Sequence, residues 1–196
     1  MTTNDDAGTA EPAEVLLSAT ELTTPARWLG YLREYSEVFL RTANEYQLDA
    51  LDARQEATGW MGREPATEEA VAAAEQRLGV RLPPSYRAFL LASDGFDGLG
   101  GWVDAAPGCA DVDWLRDTDS GADLVRLYAD TDLAGLFGRA LAVAEGEDLW
   151  LLDPEGAGPD GEWPAHVFAP KYGELEDCGD FAGLFRESRD LMEELG

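Results

Sequence analysis

Leu82-Pro83-Pro84-Ser85-Tyr86-Arg87-Ala88-Phe89-Leu90-Leu91-Ala92-Ser93-Asp94-Gly95 carries a start, an apolar face and a stop for one helix. Pro84 suits the first turn, where a missing N–H costs nothing. Tyr86, Phe89 and Leu90 recur at i, i+3 and i+4, the spacing of a single buried face, and Gly95 ends the segment. A second helix lies just upstream. Pro65 precedes it, Thr67 can cap it, and Glu68-Glu69 occupy the first turn, where the helix dipole favours negative charge. Val71, Ala74, Glu75 and Leu78 set its spacing, and Gly79 offers a left-handed stop.

Farther upstream, Thr24 and Pro25 are a hydroxyl cap followed by a first-turn proline. Trp28, Tyr31, Leu32, Tyr35, Phe39 and Tyr46 follow at i, i+3, i+4, i+7, i+11 and i+18, which predicts a core-facing stripe on one long helix. Residues 1–23 are polar and read as a loose tail in which Val15-Leu16-Leu17 can dock locally.

Downstream, residues 98–121 are rich in Gly and Asp. They predict loops, a short strand near Trp102-Val103 and a helical turn near Trp114, with Gly98-Leu99-Gly100-Gly101 as a flexible turn. Residues 122–130 predict a short helix. The hydrophobic period then changes, and Arg139–Ala144, Leu149–Leu152 and Ala165–Ala169 read as strands. Leu149-Trp150-Leu151-Leu152 is apolar on both faces, as an interior strand requires. The turn-rich run from Asp153 to Gly161 makes its flanking strands antiparallel neighbours. Asp180 can cap a final helix whose apolar face is Phe181, Leu184, Phe185, Ser188 and Leu191. Helices, then strands, then a helix predict an α+β domain without internal repeats.

The charge is extreme. The 196 residues hold 40 acidic and 14 basic groups, a formal net charge of −26 and a pI near 4.1. Residues 101–196 alone carry 23 acidic and 6 basic groups, net −17. Such a surface repels nucleic acid and anionic lipid and attracts basic proteins or cations. Only Lys171 stands beside 13 arginines, and Ala, Gly and Asp abound. A compositional bias or selection for solubility therefore accounts for the charge as well as a partner does. Apolar residues at 45% suffice for a globular core. No run reaches the roughly 20 apolar residues that cross a bilayer, and the N-terminus lacks a secretory signal pattern, so a soluble cytoplasmic protein is expected.

Most chemistry finds no support. Cys109 and Cys178 are too few for a disulfide scaffold or a four-cysteine zinc site, and His166 is the one histidine. The acidic run Asp111–Gly121 fails the calcium-loop pattern in both registers, with Arg116 or Ala122 where glycine is required. Gly98–Gly101 lacks the spacing of a dinucleotide fold and the lysine of a phosphate loop. There is no Gly-x-Ser-x-Gly elbow. A Cys178–His166 dyad has no supporting flank, and paired carboxylates are too common to be informative. No catalytic residue, metal site or cofactor is expected, and the chain leans toward binding.

Three stretches are similar to a known family. They are Gly59-Trp60-Met61-Gly62, Pro65-Ala66-Thr67-Glu68-Glu69, and the run from Ala74 through Leu82-Pro83-Pro84-Ser85-Tyr86-Arg87-Ala88-Phe89-Leu90 to Gly95. Together they closely resemble the SUKH superfamily in its Smi/Knr-type branch. Leu151-Leu152-Asp153-Pro154, Asp160-Gly161-Glu162-Trp163 and the helix opening at Asp180-Phe181 resemble it too. The resemblance covers roughly residues 59–196, and 24–58 resembles an N-terminal helical extension behind the tail of 1–23. It implies a single α+β domain with an antiparallel-rich mixed sheet flanked by helices, and no catalysis. In that family Trp60 would fill the core, Pro83-Pro84 start a helix, Tyr86 and Phe89 pack, and Gly95 turn. Asp94 and Asp180 stand where the family often has Asn and Ser. The Gly/Asp-rich insertion around 104–121 falls outside the motif.

Bacterial members of the superfamily are mostly regarded as immunity proteins that neutralise a toxin, and fungal relatives as cell-wall regulators and interaction hubs. The resemblance and the charge together lead to an immunity protein whose partner is a cognate toxin with a basic surface. It would be a monomer or weak homo-oligomer, with no nucleic-acid or membrane partner. The contact residues expected are Asp104, Asp111, Asp113, Trp114, Asp117 and Asp119, with Trp102 or Trp114 as aromatic anchor. Three alternatives stay open: a regulatory module without a toxin, a cation-dependent hydrolase using the acidic loop, and a nucleic-acid mimic.

Overall fold

Thr24 opens helix α1 (Pro25–Thr42) by accepting the Arg27 N–H, and Pro25 takes the first position. Trp28, Tyr31, Leu32, Tyr35 and Phe39 line its buried face. Two short helices follow, α2 (Glu45–Asp49) and α3 (Ala53–Thr58). Each is opened by a reciprocal capping box, Asn44 with Gln47 and Asp52 with Gln55. Thr67 caps α4 (Glu68–Leu78), and Gly79 ends it in the left-handed region. Helix α5 (Pro84–Ala92) begins behind Pro83, which has no side-chain acceptor to offer. Instead the Glu162 carboxylate, far off in sequence, accepts the Ser85 N–H at 2.8 Å and the Ser85 hydroxyl at 2.6 Å. The computed structural model describes residues 22–196, so Val15-Leu16-Leu17 and the rest of 1–21 lie outside the described residues.

Seven strands form one sheet: β1 (Phe96–Gly100), β2 (Val103–Ala106), β3 (Asp113–Trp114), β4 (Leu141–Gly146), β5 (Leu149–Leu152), β6 (Ala165–Ala169) and β7 (Glu174–Gly179). The order is β1-β2-β4-β5-β6-β7, with β3 beside the start of β4 while β2 pairs with its end. Every pairing is antiparallel. Helices α6 (Asp119–Leu127) and α7 (Ala134–Arg139) precede β4, and α8 (Phe181–Leu195) closes the chain behind its Asp180 cap.

Strand β5 shows why the sheet is central. All four of its residues are buried. Trp150 and Leu152 join a core shared with α1, α4, α5 and α8; Leu149 and Leu151 join a second core with Leu115, Leu136, Phe137 and Phe168. Side-chain alternation thus gives the sheet a packed layer on each face. In the first core Trp28 meets Phe89 and Phe185 edge-on, with centroids 5.5 Å and 5.2 Å apart. Such aromatic pairs add about 0.5–1.5 kcal/mol each beyond the area they bury.

Four local expectations change. Gly98–Gly101 is not a flexible turn: β1 runs through Gly100, and the turn begins only at Gly101. Gly100 has φ +73, and a Cβ there would lie 2.1 Å from Met192 Sδ of α8. Glycine lets the strand bend under the helix, a fit no larger residue allows. Tyr46 leaves the aromatic stripe because α1 stops at Thr42; it is 87% exposed on α2. Trp60 is half-buried at the core's edge against Phe96 and does not fill the core. The strand predicted at Arg139–Ala144 is displaced, because Arg139 ends α7 and β4 begins at Leu141. Among the described residues no helix is long and apolar enough to cross a membrane.

Candidate functional site

The Gly/Asp-rich insertion is pinned in place. The Arg77 guanidinium, from the last turn of α4, donates to the carbonyls of Cys109 (3.0 Å) and Val112 (2.7 Å) and faces Asp113 at 3.6 Å. Asp94 accepts the Cys109 N–H at 2.6 Å. On this frame Asp104, Asp111, Asp117 and Asp119 are exposed, while Asp113 and Trp114 are half-buried. Asp111 and Asp113 meet Arg63 and Glu145 around one hollow; Asp104, Asp117 and Asp119 do not line it. Asp117 is paired with Arg116 at 3.4 Å, and the Arg116 guanidinium also lies over the Trp114 ring, 5.4 Å from its centre. Two of the five loop carboxylates therefore have basic partners already, and Trp114 has a cation on its face.

A second acidic region has a different character. A groove of about 340 Å³ runs between α8 and the sheet. The strand register places Trp150 beside Val167 and Val167 beside Glu176. Together with Val103 they give the groove an apolar floor with a carboxylate at one end. Asp148, from the β4–β5 turn, and Glu187, Asp190 and Glu194 of α8 complete its acidic lining. The three helix residues stand at i, i+3 and i+7, on one face. Trp102, 52% exposed, lies in the β1–β2 turn, and its carbonyl accepts the Asp148 N–H at 2.9 Å. The lining contains no Lys, Arg or His, and none of its five carboxylates makes an ion pair among the described residues. Burial, with Glu147 next to it, holds Asp148 above the usual carboxylate range.

Sequence reasoning found Trp102 but missed the carboxylates around it. They come from three separate parts of the fold, the β4–β5 turn, β7 and α8, and only the Glu187, Asp190, Glu194 spacing was visible in the chain.

The groups that suggest chemistry are differently placed. Burial pushes the Cys178 thiol up to about 12, so it stays protonated and a poor nucleophile. Cys178 packs in the first core with Ala165, whereas alternation along β6 turns His166 to the opposite face. The Asp153 carboxylate is held by Arg139 through two 2.7 Å hydrogen bonds, a forked pair that ties α7 to the end of β5. Among the described residues no group of three or more His, Cys, Asp or Glu is placed to hold a metal ion.

A model of the SMI1 / KNR4 family (SUKH-1) matches residues 65–187, more than half of the chain. The chain belongs to that family. Comparison with curated proteins gave no match. The SUKH-1 match spans α4 through the first half of α8, and so covers Trp102, Asp148, Glu176 and Glu187 of the groove. Helix α1 precedes the matched range, yet Trp28 and Tyr35 are fully buried in the same core.

Proposed function

We propose that this SUKH-1 protein is a non-catalytic protein-binding module of the cytoplasm. It acts as an immunity protein that neutralises the cognate toxin of a bacterial polymorphic or contact-dependent system. Family membership over residues 65–187 is the observation that carries this reading. The charge supports the choice of partner. A net −26 chain with Asp104, Asp111 and Asp119 exposed on its surface sets up a field that draws in a basic toxin and raises the association rate more than the affinity. The affinity then comes from a contact area that includes Trp102, whose exposed side chain is within a partner's reach.

The test is co-expression with toxins encoded beside the gene. Immunity requires that growth be rescued by one of them and that binding to it slow steeply as salt rises. No rescue by any neighbour, or kinetics flat in salt, would refute the reading. The same family match also fits a regulatory module without a toxin; recovery from the native host of a stable, non-toxic partner would favour it.

A further inference from the structure

We infer that the groove between α8 and the sheet is the docking site for a basic, partly apolar segment of a partner protein, with Trp102 as the anchor. The inference rests on the protein-binding reading above and adds the place and the chemistry.

The floor and the walls ask for different things. Half-buried Val167, backed by Trp150 and Val103, gives the groove an apolar floor, which favours aliphatic contact. Asp148, Glu176, Glu187, Asp190 and Glu194 surround it with uncompensated negative charge. An arginine or lysine satisfies both, because its hydrocarbon stem lies on apolar surface while its head reaches a carboxylate. The exposed indole of Trp102 adds a face on which a guanidinium can stack, unlike Trp114, whose face Arg116 occupies.

Other occupants fit less well. The carboxylates do not converge as a metal site requires, so an extended polycation suits them better than a single ion. Residues 1–21 of the chain carry five acidic groups and no Lys or Arg, so their charge opposes this groove. A second copy brings a further net −26. Charge complementarity leaves a cationic partner.

The experiment uses the full-length protein and a capped synthetic peptide of alternating Arg and Leu, with an alternating Glu and Leu peptide as control. Nitrogen-15 spectra follow the indole N–H signals, with W102F assigning that of Trp102. The Arg–Leu peptide should shift the Trp102 signal saturably and the Glu–Leu peptide should not. The triple variant E187Q/D190N/E194Q should weaken binding at least about tenfold, and D111N/D117N/D119N less than about twofold. All six substitutions are at exposed positions, so both variants keep the fold. A Trp102 signal that stays still, or equal weakening in both variants, overturns the inference.

The two proposals fail separately. If the groove variant rescues growth as well as the unaltered chain, the docking site is wrong and immunity stands. If the peptide docks at Trp102 but no neighbouring toxin is neutralised, immunity is wrong and the docking site stands.

Discussion

Replacing Glu162 tests how a helix whose N-cap is proline is held. In the folded chain this carboxylate takes both the Ser85 N–H and the Ser85 hydroxyl, which are otherwise left at the start of α5 without a partner. Losing a helix cap costs about 1 kcal/mol, and stranding a buried hydroxyl costs about 1–3 kcal/mol more. Ser85 is 2% exposed in the folded chain, so both of its donors depend on this acceptor. Glu162→Ala should therefore lose about 2–4 kcal/mol in urea unfolding at unchanged m-value, or roughly 4–16 °C in Tm for a chain of this size.

Glu162→Gln separates hydrogen bonding from charge. The amide oxygen can accept the N–H, and the amide nitrogen can donate to the hydroxyl, so Gln keeps the cap and should cost less than about 1 kcal/mol. Burial, helped by Asp180 and Asp160, raises the Glu162 carboxyl above its ordinary value of 4.5 despite the two bonds from Ser85. The folded chain thus holds this proton more tightly than the unfolded chain. Its contribution to stability is full below pH 4.5 and fades as pH rises through the higher folded value. The Gln variant should lack that fade. If Gln costs as much as Ala, the charge rather than the pair of bonds holds the helix; if Ala costs less than about 0.5 kcal/mol, the remote cap is irrelevant to folding.

Three further predictions rest on buried polar groups. Burial opposes ionisation of Asp153, but the Arg139 fork and the Glu155 N–H outweigh it and hold the carboxyl below its usual range. Arg139→Ala should cost about 1–3 kcal/mol at pH 7, less at pH 2–3 where the wild-type pair is itself being lost, as urea titrations at both pH values would show. Tyr35 is buried with its hydroxyl against Ser188 Oγ (2.8 Å) and the Leu99 carbonyl, and Ser188 donates to that carbonyl at 2.9 Å. Tyr35→Phe leaves the carbonyl one donor and should cost about 1 kcal/mol, whereas Tyr35→Phe with Ser188→Ala should cost more than the sum of the singles, measured as a double-mutant cycle. Burial, with the Asp94 carboxylate adding, pushes the Cys109 thiol up to about 12, like that of Cys178. Both should resist iodoacetamide at pH 8 in the native protein and react promptly in urea, and mass spectrometry counts the adducts.

The elements legible in the sequence are those with local punctuation. α1, α4, α5 and α8 each carry a cap or first-turn proline and a periodic apolar face, and the structure places all four. β5 was legible because four consecutive apolar residues need burial on both faces. The outer strands were not. Phe96-Asp97-Gly98-Leu99-Gly100 has glycine where a strand usually has β-branched residues, and it is a strand because its glycines let α1 and α8 approach. Glu174–Gly179 is too acidic to look like a strand, yet only one face of it needs to be apolar. The site divides the same way. A contiguous acidic loop is visible to the eye, so residues 104–119 stood out. The groove is assembled from residues 100 to 194, and no window of sequence contains it. Likewise, nothing near Pro83 announces that Glu162 will cap its helix.

Strand β7 lies at the outer margin of the sheet, with Glu174, Glu176 and Asp177 exposed along it. An unprotected margin is where sheets recruit one another, through backbone groups that any second molecule can match. Here two molecules approaching margin to margin would bring like charges face to face, which opposes pairing whatever the backbone offers. Like charge along β7 thus works against edge-to-edge association of two copies.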